Sequence, residues 1–288
     1  MFLNPYLRTS SLKVLTLNAM KPLQPQAVAL TIAGSDPSGG AGLQADLKTF
    51  QQLGVYGMSV VTLITVQNTQ GVQQVETLSP QLVLAQLDAV LVDIPPRAIK
   101  TGALGNAQIV QAVGQRLSAV DCPVVVDPVL VSKHGHLLVT EDVVDACIRY
   151  LLPQAWLITP NRFEAERLTR SKLDNRASIA RAIEDMLEMG AQHVLLKLGG
   201  QGNAFEHWFG SHASGITSLP TPLLETNHTH GSGCVLAAAV CAKLALGENT
   251  PLAAVQFGMQ CVAEALAVPT QLGSGNIHPI ETRSIGCA

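Results

Sequence analysis

The chain contains 288 residues, with 18 basic and 21 acidic side chains and a formal net charge of −3. This balance excludes a broad basic surface for nucleic acid or an anionic membrane, so any bound anion must be held by local groups. Hydrophobic residues make up 47% of the chain and aromatic residues only 4%, which favours small-residue helices packed on a parallel sheet. No uninterrupted apolar run reaches the roughly 18 residues of a membrane span.

The first 20 residues contain Arg8 and Lys13 but no acidic residue, and their apolar patch is too broken for a secretory signal. We expect residues 1–20 to be a flexible extension, or translation to begin at Met20; a transit-like segment is the weaker alternative. We treat residues 21–288 as a single domain. The six cysteines show no C-x-x-C spacing, so we expect reduced thiols in a cytoplasmic protein.

Strand and helix patterns alternate along the chain from Ala27 onward. Strands are predicted at Ala27–Ala33, Met58–Val66, Ala98–Thr101, Val124–Asp127, Trp156–Thr159 and His193–Lys197, with antiparallel edge strands at Ala204–Phe209 and Gly215–Ser218. Helices are predicted at Ala41–Leu53, Gln81–Val92, Asn106–Leu117, Thr140–Leu152, Ser178–Met189, Cys234–Leu246 and Leu252–Ala267. Ser79, which is followed by Pro80, and Asn106 are the predicted N-caps of the second and third of these helices. The alternation predicts an α/β fold with a doubly wound, mostly parallel sheet and helices on both faces. Such sheets bind ligands at the carboxyl ends of their strands.

A glycine-dense turn, Gly34–Gly42, follows the first strand and leads into a helix that carries Asp46. The turn lacks the lysine of a Walker loop and the spacing of a dinucleotide-binding loop, so it indicates only that a ligand approaches the backbone closely. Asp46 either binds a ligand or complements the helix dipole. Gln67 and Asn68 end the second strand, where a carboxamide can pair with a heterocycle or cap a turn.

Polar side chains also follow three later strands. Asp127 comes directly after a buried strand, and Asn161 and Glu164 follow the next one. Carboxylate and amide oxygens suit Mg²⁺, which keeps waters that bridge to phosphates, although Asp-Pro can also be a plain strand end. Lys197 ends a further strand. It can place a positive charge on a transferred phosphoryl group or extend out of the sheet into solvent.

The segment THGSGC, Thr229–Cys234, runs directly into an apolar helix. Gly231 and Gly233 allow a tight turn, and the free N–H groups at the helix start would then form an anion site. The alternative is a plain glycine-bounded helix start. Cys234 adds a thiol at the place on a helix where a thiol is most easily ionised. Two histidine pairs lack the helical spacing of a zinc site and are interpreted as surface or loop residues: His134 with His136, and His228 with His230.

Six ordered motifs make the chain similar to a known family. They are ALTIAGSDPSGGAGLQADLKTF at Ala29–Phe50, VQNTQGV at Val66–Val72, KTGALG at Lys100–Gly105, VVVDPVLVSKHG at Val124–Gly135, ITPNRFEAE at Ile158–Glu166, and THGSGC. With these motifs the chain resembles the bacterial hydroxymethylpyrimidine/phosphomethylpyrimidine kinases of thiamine biosynthesis, members of the ribokinase-like superfamily. The resemblance covers nearly everything from Ala27 to Ala267. It implies a ribokinase-like fold, ATP as co-substrate and Mg²⁺.

The resemblance also implies a role for each group of strand-end residues. The aminopyrimidine is implied to lie against Gly34, Asp46, Gln67, Ala103 and Cys234. Mg²⁺ and its waters are implied at Asp127 and Glu164, and the ATP phosphates at Asn161 and Lys197, with Gly199 on the nucleotide side. The anion hole that supports catalysis is implied to consist of the amides of Gly231, Ser232, Gly233 and Cys234, with Lys197 acting on the transferred group.

Cys234 stands where most members of the superfamily carry an aspartate that acts as base; the pyrimidine kinases also have cysteine there. We infer that the first phosphorylation, on a neutral hydroxymethyl group, benefits from a base. The second uses an anionic phosphate as nucleophile, needs no base, and would be repelled by a fixed carboxylate. Two departures from the family pattern fall on the nucleotide side: Leu198 replaces a glycine after Lys197, and His228 replaces an asparagine.

The predicted activity is ATP-dependent phosphorylation of 4-amino-5-hydroxymethyl-2-methylpyrimidine and then of its monophosphate. We expect a homodimer with no nucleic-acid or membrane partner. Pyridoxal kinase is the alternative, because relatives with the same Cys-bearing loop accept pyridoxal, whose aldehyde can add to Cys234. A ribokinase-type sugar kinase is disfavoured by the missing aspartate. A non-catalytic pyrimidine-binding protein would require that the departures abolish ATP binding.

Overall fold

A computed structural model describes residues 27–130, 139–201, 204–222, 226 and 228–286. The expected extension at residues 1–20 and the pair His134/His136 lie outside the described residues. The strands are β1 Val28–Ser35, β2 Tyr56–Asn68, β3 Gly71–Thr77, β4 Ala98–Thr101, β5 Val124–Val126, β6 Leu157–Ile158, β7 His193–Gln201, β8 Ala204–Ser211 and β9 Gly215–Pro222. The α-helices are α1 Gly42–Gln52, α2 Pro80–Asp93, α3 Ala107–Leu117, α4 Glu141–Ala146, α5 Arg162–Thr169, α6 Arg176–Glu188, α7 Ser232–Ala245 and α8 Pro251–Ala267.

The nine strands of the described residues form one sheet, in the order β3-β2-β1-β4-β5-β6-β7-β8-β9. The six central strands are parallel, whereas β3 pairs antiparallel with β2, and β8 and β9 pair antiparallel beyond β7. This confirms the predicted mostly parallel α/β sheet and its antiparallel edge. Because the central strands are parallel, their carboxyl ends lie along the same edge.

The central strands are buried on both faces because their apolar residues alternate between two cores. Leu30 and Ile32 of β1 belong to the core beneath α2, α3 and α6, and Ala29 belongs to the core with α7 and α8. Small residues dominate the second core: α7 buries ten residues, five of them alanine. Such a helix can pack closely on the sheet, and its first turn is therefore held against the strand ends.

The predicted helix starts at Ser79 and Asn106 are confirmed. The side chain of Ser79 accepts a hydrogen bond from Leu82 N at 3.3 Å, with Pro80 at the first helical position, and Asn106 Oδ1 accepts from Ile109 N at 2.9 Å. These side chains satisfy backbone donors that the helix itself leaves unpaired.

Three elements differ from the prediction. Strand β3 was not predicted, because its polar sequence is exposed along almost its whole length and gives no apolar alternation. Helix α5 was also not predicted. The helix expected at Thr140–Leu152 is α-helical only over α4; it continues as a π-helical turn at Cys147–Leu151 and a 3₁₀ turn at Leu152–Gln154, where Pro153 lacks the N–H that an α-helix needs.

Among the described residues, no helix is both long and apolar enough to cross a membrane. Five cysteines, Cys122, Cys147, Cys234, Cys241 and Cys261, are free thiols, as predicted; Cys287 lies outside the described residues.

Candidate active site

The predicted site residues gather at the edge of the sheet where the parallel strands end. Gly34 lies near the end of β1 and Gln67 near the end of β2; Ala103 lies two residues after β4, and Asp127 directly follows β5. Asn161 forms a parallel bridge with Lys197, whose N–H donates to Pro160 O at 2.8 Å. The sheet thus brings together residues that are more than 100 positions apart in the chain.

Helix α7 begins against this edge. Gly231 has φ +85, and a Cβ there would lie 1.8 Å from the carbonyl oxygen of Gly40, so only glycine fits. A Cβ on Gly233 would lie 3.5 Å from Lys197 Nζ and 3.8 Å from Asp127 Oδ2. The first turn of α7, in which the N–H of Ser232 donates to Thr229 O at 3.3 Å, therefore adjoins both a cation and a carboxylate. This arrangement favours the anion-site interpretation over a plain helix start.

Lys197 does not extend into solvent. Its side chain is 15% exposed, and Nζ lies 3.3 Å from Asp127 Oδ1. The same Asp127 oxygen accepts a hydrogen bond from Thr159 Oγ1 at 3.2 Å. An ammonium held this way stays near the strand ends, where it can neutralise charge on a phosphoryl group.

Asn161 and Glu164 form a capping box at the start of α5. Asn161 Oδ1 accepts from Glu164 N at 3.0 Å, and Glu164 Oε2 accepts from Asn161 N at 2.9 Å. Glu164 Oε1 also accepts from Leu130 N at 3.3 Å, which ties α5 to the chain after β5. The sequence analysis gave these two residues ligand roles only, and missed their structural role as reciprocal caps.

Burial raises the pKa of Glu164 to about 7, and the neighbouring charge of Asp127 adds to the rise. Lys197 and the two backbone donors act in the opposite direction without cancelling it. The carboxyl group is 3% exposed. An additional cation beside Asp127 and Glu164 would therefore favour the ionised form.

These two carboxylates fit Mg²⁺ but not a metal held by protein groups alone. In the part of the chain that the structure describes, no group of three or more His, Cys, Asp and Glu side chains could hold a metal ion. Mg²⁺ is usually held by one or two carboxylates together with waters and substrate phosphates, so two carboxylates are enough for it.

Asp46 is fully buried and does not complement the dipole at the start of α1. Its Oδ2 accepts from Lys100 Nζ at 2.8 Å and from Thr31 Oγ1 at 2.6 Å. Its Oδ1 is buried without a hydrogen-bond partner. An unpaired buried acceptor is costly, and a ligand that donates a hydrogen bond would relieve that cost.

His230 connects Gln67 to the glycine-dense turn, because its ring contacts both. His230 Nε2 lies 3.0 Å from Asp36 Oδ2 and 3.4 Å from Gln67 Nε2. Asp36 is itself held by the N–H groups of Ser38 and Ala41, both at 2.9 Å, and its hydrogen bonds with His230 and Ser38 outweigh burial and lower its pKa. His230 thus joins the turn after β1, the end of β2 and the start of α7.

The backbone around Gly34 is closely packed. A Cβ on Gly34 would lie 2.5 Å from Leu63 Cδ1, and one on Gly42, which has φ +56, would lie 2.4 Å from Gly34 O. Ala103 is partly exposed, and its carbonyl oxygen accepts from Thr62 Oγ1 at 2.6 Å. On the nucleotide side, Gly199 has φ +80, and a Cβ built on it would have no atom within 4 Å.

The expectation that Cys234 ionises easily is wrong for this structure. Burial raises its pKa to about 11; Lys100 acts against the rise, and Asp46 and Asp127 add to it. A backbone hydrogen bond from Gly42 also favours the thiolate but is too weak to reverse the shift. The helix-start position alone therefore does not decide the ionisation of this thiol, because burial, together with the nearby carboxylates, opposes it.

Sequence reasoning missed three residues of the site: Asp36, Lys100 and His230. Lys100 could have been found from the sequence, because a lysine within the buried strand AIKT needs a partner of opposite charge. His230 was interpreted as a surface or loop residue, although its side chain is only 22% exposed and joins two other loops.

The comparisons with known proteins agree with this geometry. A family model described as phosphomethylpyrimidine kinase matches residues 36–280. The hydroxymethylpyrimidine/phosphomethylpyrimidine kinase of Synechococcus elongatus is 43% identical over 251 residues, which cover 86% of this chain and 94% of that protein. The protein of the same description from Bacillus subtilis is 41% identical over 254 residues, covering 86% and 92%.

Solved structures show the same fold. A phosphomethylpyrimidine kinase from Clostridium difficile superposes with a TM-score of 0.74 at 39% identity and covers 83% of this chain and 98% of its own. A pyridoxal kinase from Staphylococcus aureus, in complex with AMP-PCP and pyridoxal, gives a TM-score of 0.82 at 34% identity, with coverage of 91% and 95%.

Proposed function

The chain belongs to the phosphomethylpyrimidine kinase family and is a ribokinase-like phosphotransferase, and from this we propose its substrates and the roles of its residues. It transfers the γ-phosphoryl group of ATP to 4-amino-5-hydroxymethyl-2-methylpyrimidine, and then a second phosphoryl group to the monophosphate. The product is the pyrimidine diphosphate used in thiamine biosynthesis.

One observation carries this proposal: the first turn of α7 adjoins Lys197 and Asp127, at 3.5 and 3.8 Å from the position of a Gly233 Cβ. Three kinds of group that can interact with a phosphoryl group during its transfer lie close together there: backbone amides, an ammonium and a carboxylate. The amides of Gly231, Ser232, Gly233 and Cys234 form the anion hole. Lys197 and Asn161 face the ATP phosphates, and Gly199 leaves space on the nucleotide side.

Asp127 and Glu164 would hold Mg²⁺, which would neutralise charge on the phosphates. Glu164 acts as an anion in this role, because the cation favours its ionised form despite burial. The capping box that Glu164 makes with Asn161 fixes both side chains relative to β6.

The aminopyrimidine binds between Gly34, Gln67 and Ala103, next to Asp46 and Cys234. The unpaired Oδ1 of Asp46 accepts from the exocyclic amine, and the carboxamide of Gln67 pairs with a ring nitrogen. Both groups lose water when the substrate binds. A substrate with a hydrogen-bond donor beside an acceptor therefore binds more tightly than one that lacks the donor.

Cys234 serves the two steps in different ways. Its raised pKa keeps the thiol neutral near pH 7, so a phosphate monoester can approach without meeting a fixed negative charge. In the first step the minor thiolate form takes the proton of the hydroxymethyl group.

Product identification tests the proposal. The protein is incubated with the pyrimidine and Mg-ATP, and the products are separated by anion exchange and weighed by mass spectrometry. We expect the monophosphate to appear first and the diphosphate to follow. A preparation that binds both substrates and forms neither product would contradict the assignment.

Pyridoxal is the second candidate substrate, favoured by the likeness to the Staphylococcus aureus pyridoxal kinase. Pyridoxal carries no exocyclic amine to donate to Asp46 Oδ1, so we expect kcat/KM to be higher for the pyrimidine. A higher value for pyridoxal would reverse the assignment.

We also propose that the chain is a cytoplasmic homodimer and that residues 21–288 fold as one domain. The single nine-stranded sheet supports one domain. The hairpin of β2 and β3 supports association of two copies, because four of its apolar side chains are about half exposed: Ile64, Val66, Val72 and Val75.

A further inference from the structure

The side chain of His230, just before α7, has no role in the proposed chemistry, yet its position is closely fixed. Its N–H donates to His278 O at 3.0 Å, and its C=O accepts from Ile280 N at 3.1 Å, so the segment after α8 holds its backbone from both sides. A Cβ on Gly40 would lie 2.4 Å from His230 Cδ2. The imidazole ring therefore fills the space that this glycine leaves open, and it has little room to turn.

The contacts of Asp36 determine which ring nitrogen of His230 carries hydrogen. Oδ1 of Asp36 accepts from Ser38 N at 2.9 Å and from Ser38 Oγ at 2.7 Å, and Oδ2 accepts from Ala41 N at 2.9 Å. Three donors on two oxygens are the surroundings of an ionised carboxylate, which can only accept hydrogen bonds. Because His230 Nε2 lies 3.0 Å from Oδ2, this nitrogen carries a hydrogen and donates it to Asp36.

The same nitrogen also faces the carboxamide of Gln67. Gln67 Nε2 lies 3.4 Å from His230 Nε2, so in this arrangement two N–H donors face each other and neither can accept. A half-turn about the last side-chain bond of Gln67 exchanges Nε2 and Oε1 and leaves the rest of the chain in place. The oxygen then faces the ring N–H, and the NH₂ group points away from the ring.

We propose that His230 is a positioning residue for the substrate: its Nε2–H, held by Asp36, orients Gln67 with Oε1 toward the ring and NH₂ toward the pyrimidine. This inference rests on the proposed role of Gln67 in binding the substrate. A carboxamide fixed in this way presents a hydrogen-bond donor. The ring nitrogens of an aminopyrimidine carry no hydrogen and accept, so the donor matches them, whereas an unfixed carboxamide would present either end.

A purely structural link between the glycine-dense turn and α7 would be complete with the bond from His230 to Asp36. It would require nothing of Gln67. The inference therefore makes two claims that a structural role does not make: Nε2 of the free protein carries hydrogen, and the effect of His230 on substrate binding passes through Gln67.

The first claim is tested without any substrate, so the result does not depend on the proposed function. Nitrogen-15 chemical shifts distinguish a ring nitrogen that carries hydrogen from one that does not, and the signals of His230 are identified by their loss in His230→Gln. At neutral pH we expect hydrogen on Nε2, whether or not Nδ1 carries one as well. A ring with hydrogen on Nδ1 alone overturns the inference, and this measurement requires no variant that changes the site.

The second claim is tested by calorimetric binding of 4-amino-5-hydroxymethyl-2-methylpyrimidine in the absence of ATP. Gln67→Ala is expected to raise Kd about tenfold, the contribution of one hydrogen bond. His230→Met, which removes the donor, is expected to raise Kd about fivefold in the unmodified background and less than about twofold in Gln67→Ala. His230→Gln is the matched control, because glutamine has nearly the length of methionine but keeps an N–H donor, and its Kd is expected to stay near that of the unmodified protein.

The pattern of losses separates the possible outcomes. If His230→Met raises Kd by the same factor in both backgrounds, or if His230→Gln is as weak as His230→Met, His230 has a structural role only and the inference is overturned. If the unmodified protein does not bind the pyrimidine, or Gln67→Ala binds it as tightly as the unmodified protein does, the proposed function fails at Gln67 and the inference fails with it.

Discussion

Glu164 and Cys234 are two site residues whose pKa values burial raises, to about 7 and about 11. For Glu164 the folded state binds more protons than the unfolded state between about pH 4.5 and 7. Its contribution to the free energy of unfolding therefore falls as the pH rises through that window. The same shift has a consequence for metal binding, because a cation can bind only when the carboxyl group gives up its proton.

We predict that binding of Mg²⁺ with a non-hydrolysable ATP analogue at pH 6.5 releases a fraction of a proton from Glu164. Calorimetry in two buffers of different ionisation enthalpy measures the release. It is expected to vanish at pH 8.5 and in Glu164→Gln. Glu166→Gln, on the same helix, is the control and keeps the release. Equal release from Glu164→Gln and the unmodified protein would contradict the ligand role of Glu164.

Cys234 leads to a prediction about how the reaction rate depends on pH. Because only the thiolate is a base, the rate of the first phosphorylation is expected to rise between pH 7 and 10 without a plateau, whereas the second varies little. Cys234→Ala is expected to slow the first step more than the second and to remove the rise. Single-turnover assays with each substrate measure both rates. Equal losses in the two steps would rule out this division of roles.

At the scale of elements, α5 and α6 provide a matched pair. Both begin at an asparagine whose side chain accepts from the backbone three residues later: Asn161 from Glu164 N at 3.0 Å and Asn175 from Ser178 N at 2.9 Å. Both asparagines take part in a capping box. Only Asn161 lies at the strand ends that carry the candidate site.

We predict that Asn161→Ala and Asn175→Ala each lower the free energy of unfolding by about 1 kcal/mol, the usual contribution of such a cap. Only Asn161→Ala is expected to raise KM for ATP, by tenfold or more, because Asn161 is the residue proposed to face the phosphates. Urea unfolding and steady-state kinetics measure the two effects. Similar kinetics for both variants would mean that Asn161 is a cap alone.

The start of α7 provides a second pair. Gly231 and Gly247 both have positive φ, +85 and +100, but a Cβ at Gly231 would lie 1.8 Å from Gly40 O, whereas nothing lies within 4 Å at Gly247. A non-glycine residue would therefore be strained by the positive φ at both positions, but only at position 231 would it also clash with a neighbouring atom.

We predict that Gly247→Ala lowers the free energy of unfolding by about 1–2 kcal/mol and leaves kcat unchanged. Gly231→Ala is expected to lower stability further and to reduce kcat at least a hundredfold, because the clash displaces the amides of the anion hole. Thermal unfolding and kcat measurements compare them. A fully active Gly231→Ala would contradict the anion-hole assignment.

For the whole molecule, the exposed hairpin of β2 and β3 is the surface on which two copies are proposed to associate. We predict that sedimentation gives the mass of two chains, and that Val66→Lys with Val75→Lys gives the mass of one. Val92→Lys, at an 82% exposed site on α2, is the control and is expected to leave the dimer intact. A monomeric unmodified protein would contradict the proposal.

Much of the fold follows from local patterns. The buried strands, the caps at Ser79 and Asn106 and the glycine before α7 were predicted because each depends on residues within a few positions of each other. Strand β3 was missed, since its pairing depends on the turn after β2 rather than on its own hydrophobicity. Helix α5 was missed because its capping box, Asn161 with Glu164, was interpreted only as a set of ligands.

The sequence by itself determined the alternation of strands and helices apart from β3 and α5, the glycine-bounded start of α7 and the family, because these depend on residue type and spacing along the chain. Only the tertiary structure decided which side chains surround that helix start. It placed Lys197 and Asp127 at the first turn of α7, joined Asp36 to His230 across 194 positions, and put Lys100 and Asp46 beside Cys234. The ionisation of the thiol depends on the sum of these charges in a buried site, and this sum cannot be obtained from the local sequence.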